Sequence, residues 1–252
     1  MEPKVVAVIP ARMASTRFPG KPLAEIQGLP MIEHVRRRVA LSPLIQEVVV
    51  ATCDQEIFAA VTAEGGQAVM TAPTHERCTD RVAEAAVSIE ADIIINVQGD
   101  EPLVQPDMFV ALLAPLVADP ELPCTNLMSE ILSDDEFTSP NVVKTVCDFK
   151  GNALYFSREP IPSVRKAGDL AFRKYKQLGI IAFRYEFLHT FTDLAPTPLE
   201  AVESVDMLRA VEHGYQVRMV VTPFQVVGVD TPEDLEKARV LMKTDELLKT
   251  YQ

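Results

Sequence analysis

The chain has 252 residues, 48% of them hydrophobic and 24% charged, a globular balance rather than a disordered one. Asp and Glu number 36 against 24 Lys and Arg, and the resulting net charge of −12 argues against a dedicated nucleic-acid surface while leaving room for a locally basic pocket. No apolar run approaches the roughly 18 residues that cross a bilayer, and Met1-Glu2-Pro3-Lys4 leads straight into a short apolar stretch, so a cytoplasmic protein with no membrane segment is expected.

In chain order, residues 5–9 predict a first strand and residues 30–41 a helix. A strand at 48–51, a helix at 55–64, a helix at 79–89, a strand at 93–97 and a helix at 108–116 follow. The runs 5–9 and 93–97 are apolar without alternation, the pattern of strands covered on both faces. Asp54, and Thr79 or Asp80, stand where helix caps belong. This alternation predicts an α/β fold with a mostly parallel sheet. Between about 122 and 185 the rhythm changes: strand-like stretches at 142–146, 153–156 and 178–183 flank a charged segment at 163–176. That segment reads as an antiparallel insertion into one domain spanning 1–252. A helix at 199–212, a strand at 217–221 and a helix at 232–241, capped by Thr231 and opened by Pro232, restore the first rhythm.

Three constellations carry candidate chemistry. The loop Pro10-Ala11-Arg12-Met13-Ala14-Ser15-Thr16-Arg17-Phe18-Pro19-Gly20-Lys21 leaves the carboxyl end of the first strand, where open α/β sheets bind ligands. Its two arginines, one lysine and small residues suit either a phosphate cradle or a solvated basic loop. With a single glycine it is neither a Walker A loop nor a dinucleotide turn. In Asn96-Val97-Gln98-Gly99-Asp100-Glu101-Pro102, Gly99 breaks the strand and Asp100 either caps the turn or faces the basic loop across a divalent cation. In Gly228-Val229-Asp230-Thr231-Pro232, Asp230 precedes the cap and is free to be a second carboxylate. Two carboxylates and a cationic loop are the equipment of metal-assisted phosphoryl or nucleotidyl transfer, which works by holding an oxygen nucleophile in line with phosphorus.

The remaining polar residues have plainer readings. Cys53, Cys78, Cys124 and Cys147 show no CxxC pair and are expected as free thiols, with Cys53 and Cys147 filling core. His34, His75, His189 and His213 lack metal-ligand spacing. Arg36, Arg37 and Arg38 read as a solvated helix face, Lys144 as a surface lysine and Met207 as packing.

Residues 9–23, 96–102, 153–158 and 228–236 together resemble the CMP-KDO synthetases, the 3-deoxy-manno-octulosonate cytidylyltransferase family. The likeness extends to Met70-Thr71, Thr79-Asp80-Arg81, residues 141–144 and Thr197-Pro198-Leu199-Glu200. The resemblance implies a Rossmann-like nucleotidyltransferase fold whose inserted antiparallel subdomain forms a homodimer. It implies transfer of CMP from CTP to KDO with Mg²⁺ and release of pyrophosphate, for lipopolysaccharide synthesis. By match, Arg12 and Lys21 hold the triphosphate with Arg17 nearby, and Arg12, Lys21 and Asp100 are catalytic. Asp100 and Asp230 bind Mg²⁺. Ala11, Ser15, Thr79, Asp80 and Arg81 seat the nucleotide, and Gln98, Arg158, Gln177 and Glu203 face the sugar acid.

The chain departs from that family pattern at Cys78, where many relatives carry glycine, at Gln177 (histidine), at Ile181 (tyrosine) and at Met207 (glutamine). All but Cys78 fall on the sugar side. The alternatives are therefore a cytidylyltransferase for 8-amino-KDO or a sialic-type acid, a sugar-1-phosphate nucleotidyltransferase, or a non-catalytic CTP-binding module. The last would lack Lys21, Asp100 or Asp230, and all three are present.

Overall fold

The computed structural model describes residues 3–14, 18–168 and 170–252. These divide into two compact units, residues 1–110 with 226–252, and residues 111–225.

The first unit begins with β1 (Val5–Ala11), every residue of which is buried. A two-stranded hairpin of β2 (Glu25–Ile26) and β3 (Leu29–Pro30) leads into α1 (Met31–Ala40). Then come β4 (Glu47–Thr52), α2 (Gln55–Ala63), β5 (Gln67–Met70), α3 (Cys78–Ala86) and β6 (Ile93–Val97). β6, β1, β4 and β5 lie side by side in that order, all parallel, with Val8 opposite both Val49 and Asn96. The continuous burial of β1 and β6 is what their unbroken apolar runs demand.

The chain passes into the second unit within α4 (Met108–Ala118). That unit holds β7 (Cys124–Glu130), α5 (Asp134–Thr138), β8 (Lys144–Cys147), β9 (Ala153–Ser157) and β10 (Tyr175–Arg184). Helices α6 (Tyr185–Asp193), α7 (Pro198–Glu203) and α8 (Met207–Glu212) precede β11 (Val217–Val221). β10 runs antiparallel to β7 and β8, β8 antiparallel to β9, and β11 parallel to β7. The expected insertion at 122–185 lies inside this unit. The chain then returns to the first unit for α9 (Pro232–Met242), where Thr231 and Asp234 form a reciprocal capping box. No described helix is long and apolar enough to cross a membrane.

Several expectations are corrected. The single helix at 199–212 is two, because Ser204 takes a left-handed backbone (φ 52) and ends α7. Helix α3 starts at Cys78 with Arg77 at its cap, not Thr79 or Asp80. Arg38 is not solvated: it is fully buried, its Nε donating to the Val104 carbonyl at 2.8 Å and its Nη1 to Asp245 Oδ2 at 2.5 Å. Arg36 and Arg37 pair with the buried Glu33. Lys144 is fully buried too, its ammonium donating to the carbonyls of Ser139, Val142 and Arg158. Burial lowers its pKa against the pull of Glu159 and Glu203. Each buried cation is accepted because carboxylate or carbonyl oxygens surround it. Cys53 and Cys147 are half-buried rather than core, while Met207 is fully buried as expected.

Arg209 and Glu200 form a bidentate pair in the second unit, Nη2 to Oε1 at 2.6 Å and Nε to Oε2 at 2.8 Å, both side chains nearly inaccessible. Removing one partner strands the other charge. Glu200→Ala is therefore expected to lower unfolding free energy by about 3–5 kcal/mol, measured by urea denaturation.

Candidate active site

A cleft of about 700 Å³ opens in the first unit at the carboxyl ends of β1 and β6. Its wall includes Ala11, Arg12, Lys21, Cys78, Gln98, Gly99, Asp100 and Asp230. The three sequence segments singled out above thus meet here.

Lys21 is the centre of the arrangement. Its Nζ donates to Asp100 Oδ2 at 2.8 Å and to Asp230 Oδ1 at 3.5 Å. The lysine side chain is 12% exposed and the aspartates 32% and 40%, so the carboxylates are the more open members of the trio and the ammonium the shielded one. Gly20, which precedes the lysine, has φ 74, a conformation that glycine adopts at no steric cost. Gly99 is required for a different reason: a Cβ there would lie 2.9 Å from the Pro10 carbonyl oxygen and 3.2 Å from Ile32. Without a side chain at 99, the turn carrying Asp100 closes onto the end of β1.

Backbone and core fix the two carboxylates together. The Val229 N–H donates to the Asp100 carbonyl at 2.9 Å, which sets Asp230 next to Asp100. Below them lies an apolar cluster of Ile26, Met31, Leu103, Val229, Leu235, Ala238 and Met242, with Phe18 packed against it. Phe18, Leu103 and Val229 each stand within three residues of one member of the charged trio. Asp234 holds the Asp230 and Thr231 N–H groups at 3.3 and 3.2 Å. Burial works to raise the Asp234 pKa, but bonds from Lys237, Thr231 and the Asp230 amide prevail and lower it.

Two hard carboxylate oxygens around one cation fit magnesium, which takes one or two protein carboxylates and leaves its other positions to phosphate and water. Among the described residues no group of three or more His, Cys, Asp or Glu forms a self-sufficient metal site.

Ser15 and Arg17 lie outside the described residues. Thr79 is buried, and neither it nor Asp80 lines the cleft. Arg81 borders a small recess beside Arg12, and its guanidinium donates to Thr71 Oγ1 and the Ala72 carbonyl. Cys78 is exposed on the cleft wall at the start of α3.

Of the sugar-side residues, Gln98 belongs to the first unit and Arg158, Gln177 and Glu203 to the second. Gln177 donates to Asn126 Oδ1 at 2.7 Å. Glu203 accepts from Ser157 Oγ (2.8 Å), Tyr155 Oη (3.2 Å) and the Arg158 N–H (2.8 Å). The Arg158 guanidinium donates to the carbonyls of Glu203, Pro140 and Ser204 at 2.7, 3.1 and 3.2 Å. A guanidinium has five N–H bonds, so Arg158 keeps donors beyond these three. Sequence reading missed the anchors Lys144 and Asn126; the buried run around them mixes polar with apolar residues and gives no periodic signal.

A family model for cytidylyltransferases matches residues 6–222. The 3-deoxy-manno-octulosonate cytidylyltransferase of Geobacter metallireducens is 52% identical over 243 residues, 93% of this chain and 96% of its own. That of Geotalea daltonii is 49% identical over 249 residues, 95% and 98% of the two chains. The solved structure of CMP:2-keto-3-deoxy-manno-octonic acid synthetase complexed with CTP matches with a TM-score of 0.89 at 44% identity, covering 95% of this chain and 98% of that one.

Burial pushes the Glu203 pKa up, but the Arg158 amide, the Ser157 and Tyr155 hydroxyls and the Arg158 charge outweigh it and hold it below the ordinary 4.5. A carboxyl lowered in the folded state stabilises fully above its ordinary pKa, and that contribution is lost as pH falls through the folded value. Urea midpoints between about pH 6 and pH 3 are expected to show the gap between the protein and Glu203→Gln narrowing as acid is added.

Proposed function

The chain belongs to the cytidylyltransferase family, and from that premise we propose that it transfers CMP from CTP to the 2-hydroxyl of 3-deoxy-D-manno-octulosonate, giving CMP-KDO and pyrophosphate for lipopolysaccharide synthesis. The observation that carries this reading is the convergence of Lys21, Asp100 and Asp230 on one cleft wall. It supplies both signs of charge that a metal–triphosphate needs.

Arg12 and Lys21 neutralise the triphosphate, with Arg17 and Ser15 on the same loop. The family likeness assigns the cytidine to Ala11, Thr79, Asp80 and Arg81, of which Ala11 lines the cleft and Arg81 the recess beside Arg12. Gln98, Arg158, Gln177 and Glu203 serve the sugar acid, and the donors that Arg158 keeps free suit its carboxylate. Asp100 and Asp230 hold Mg²⁺, which when bound neutralises phosphate charge and activates the hydroxyl. The 2-hydroxyl oxygen bonds to the α-phosphorus as the bond from that phosphorus to the bridging oxygen breaks, pyrophosphate leaves, and the hydroxyl proton passes to solvent. Among the described residues no histidine lines the cleft, so this reading uses no imidazole base. A cytoplasmic homodimer joined through the antiparallel insertion completes it; the fully exposed Phe149 and the exposed Leu154 give that insertion apolar surface to bury.

The test is pyrophosphate release from a panel of nucleotides and ulosonic acids, with and without Mg²⁺. CTP with KDO and Mg²⁺ is expected to be the fastest combination. Faster turnover of 8-amino-KDO or a sialic acid overturns the sugar, and no release from any pair overturns the transfer. Asp100→Asn is expected to lower kcat by about 10²-fold or more, and near-normal turnover would remove Asp100 from the metal site.

A further inference from the structure

Asp54 joins β4 to α2 and occupies the position where a carboxylate ordinarily accepts helix N–H groups. It does not do so: its side chain makes no cap bond to α2. Its Oδ2 instead accepts the backbone N–H of Met13 at 2.7 Å, across 41 residues of chain. The Asp54 backbone is itself tied, its N–H donating to Oγ1 of the fully buried Thr52 at 3.1 Å. The clamp therefore starts from the end of a strand paired on both sides.

What it grips matters more. Met13 follows Arg12, which lines the cleft. The Met13 carbonyl accepts the Gly20 N–H at 3.0 Å, and Gly20 immediately precedes Lys21. Both polar groups of one peptide residue are thus occupied, one from β4 and one from the far arm of the loop. An acceptor that carries charge makes the stronger bond to an amide. A negative charge beside an anion-binding loop works against the ligand's own charge, so its use here makes sense as geometry rather than as ligand contact.

We propose that Asp54 is a positioning residue of the nucleotide site: by holding the Met13 amide it sets the loop so that Arg12 and Lys21 meet the triphosphate. This rests on the reading that the loop binds the triphosphate of CTP, and it adds a residue that does not line the cleft.

The full chain with Mg²⁺ is compared as wild type, Asp54→Ala and Asp54→Asn. Loss of one loop hydrogen bond in Asp54→Ala is expected to raise the KM for CTP about tenfold and that for the sugar acid less than about twofold. Asp54→Asn keeps an oxygen acceptor and is expected to restore the CTP KM to within about twofold. In the ligand-free protein, hydrogen exchange at the Met13 amide is expected to accelerate in Asp54→Ala and not in Asp54→Asn. Asp54→Ser, whose oxygen falls short of Met13, takes the place of Asp54→Ala if that variant does not fold. Unchanged CTP KM and Met13 exchange in Asp54→Ala, equal rises in both KM values, or an Asp54→Asn variant as impaired as Asp54→Ala each overturn the proposal. A wild type that releases no pyrophosphate from CTP overturns the functional reading instead, and the exchange measurement still decides whether Asp54 holds the loop.

Discussion

One ammonium group facing two carboxylates organises the first unit. Asp100 and Asp230 come from positions 130 residues apart, and neither would tolerate the other beside it without a cation between. Unit charges about 4 Å apart interact by roughly 4 kcal/mol at the effective dielectric of a protein surface, so Lys21 converts a repulsive pair into a stable trio. One lysine against two carboxylates leaves the trio with a residual negative charge, which is the ground for proposing that a metal–phosphate ligand adds there.

That trio is held by features with no charge at all. The apolar cluster reaches Phe18 on the loop, Leu103 beyond Asp100 and Val229 before Asp230, so one hydrophobic contact surface orients three polar arms. Burying such side chains contributes about 1.5–3 kcal/mol each. Backbone terms finish the work: the Val229 to Asp100 hydrogen bond, the left-handed Gly20 and the absent side chain of Gly99. In the second unit the order is reversed, and charge does the holding. Lys144 and Arg158 give their hydrogen bonds to backbone carbonyls, while Glu203 takes one from the Arg158 N–H and two from the Ser157 and Tyr155 hydroxyls, which fixes the segments around 139–143, 157–158 and 203–204.

Much of this was legible in the chain. Strands 93–97 and 217–221 appear with the bounds their β-branched runs imply, and the meeting of Lys21, Asp100 and Asp230 follows from each standing in a loop or turn beside a strand end or helix start. What escaped notice did so for physical reasons. β7 buries Thr125, Asn126 and Ser129, and the first two are satisfied by main-chain carbonyls such as Leu112, Leu178 and Ile180, so its sequence lacks an apolar signature. β5 is short and half-exposed beside β4. Arg38 and Lys144 look like surface cations because their partners, Asp245 and three carbonyls, are set by tertiary structure rather than by spacing. Asp54 reads as a cap from its neighbours and serves a loop 41 residues away.

The most direct measurement is a crystal structure of the full chain with CTP and Mn²⁺ in place of Mg²⁺, located by anomalous scattering. The account predicts a metal peak within coordinating distance of carboxylate oxygens of both Asp100 and Asp230, with triphosphate oxygens completing its shell. A metal bound elsewhere, or either carboxylate turned away from a CTP-loaded cleft, would contradict it.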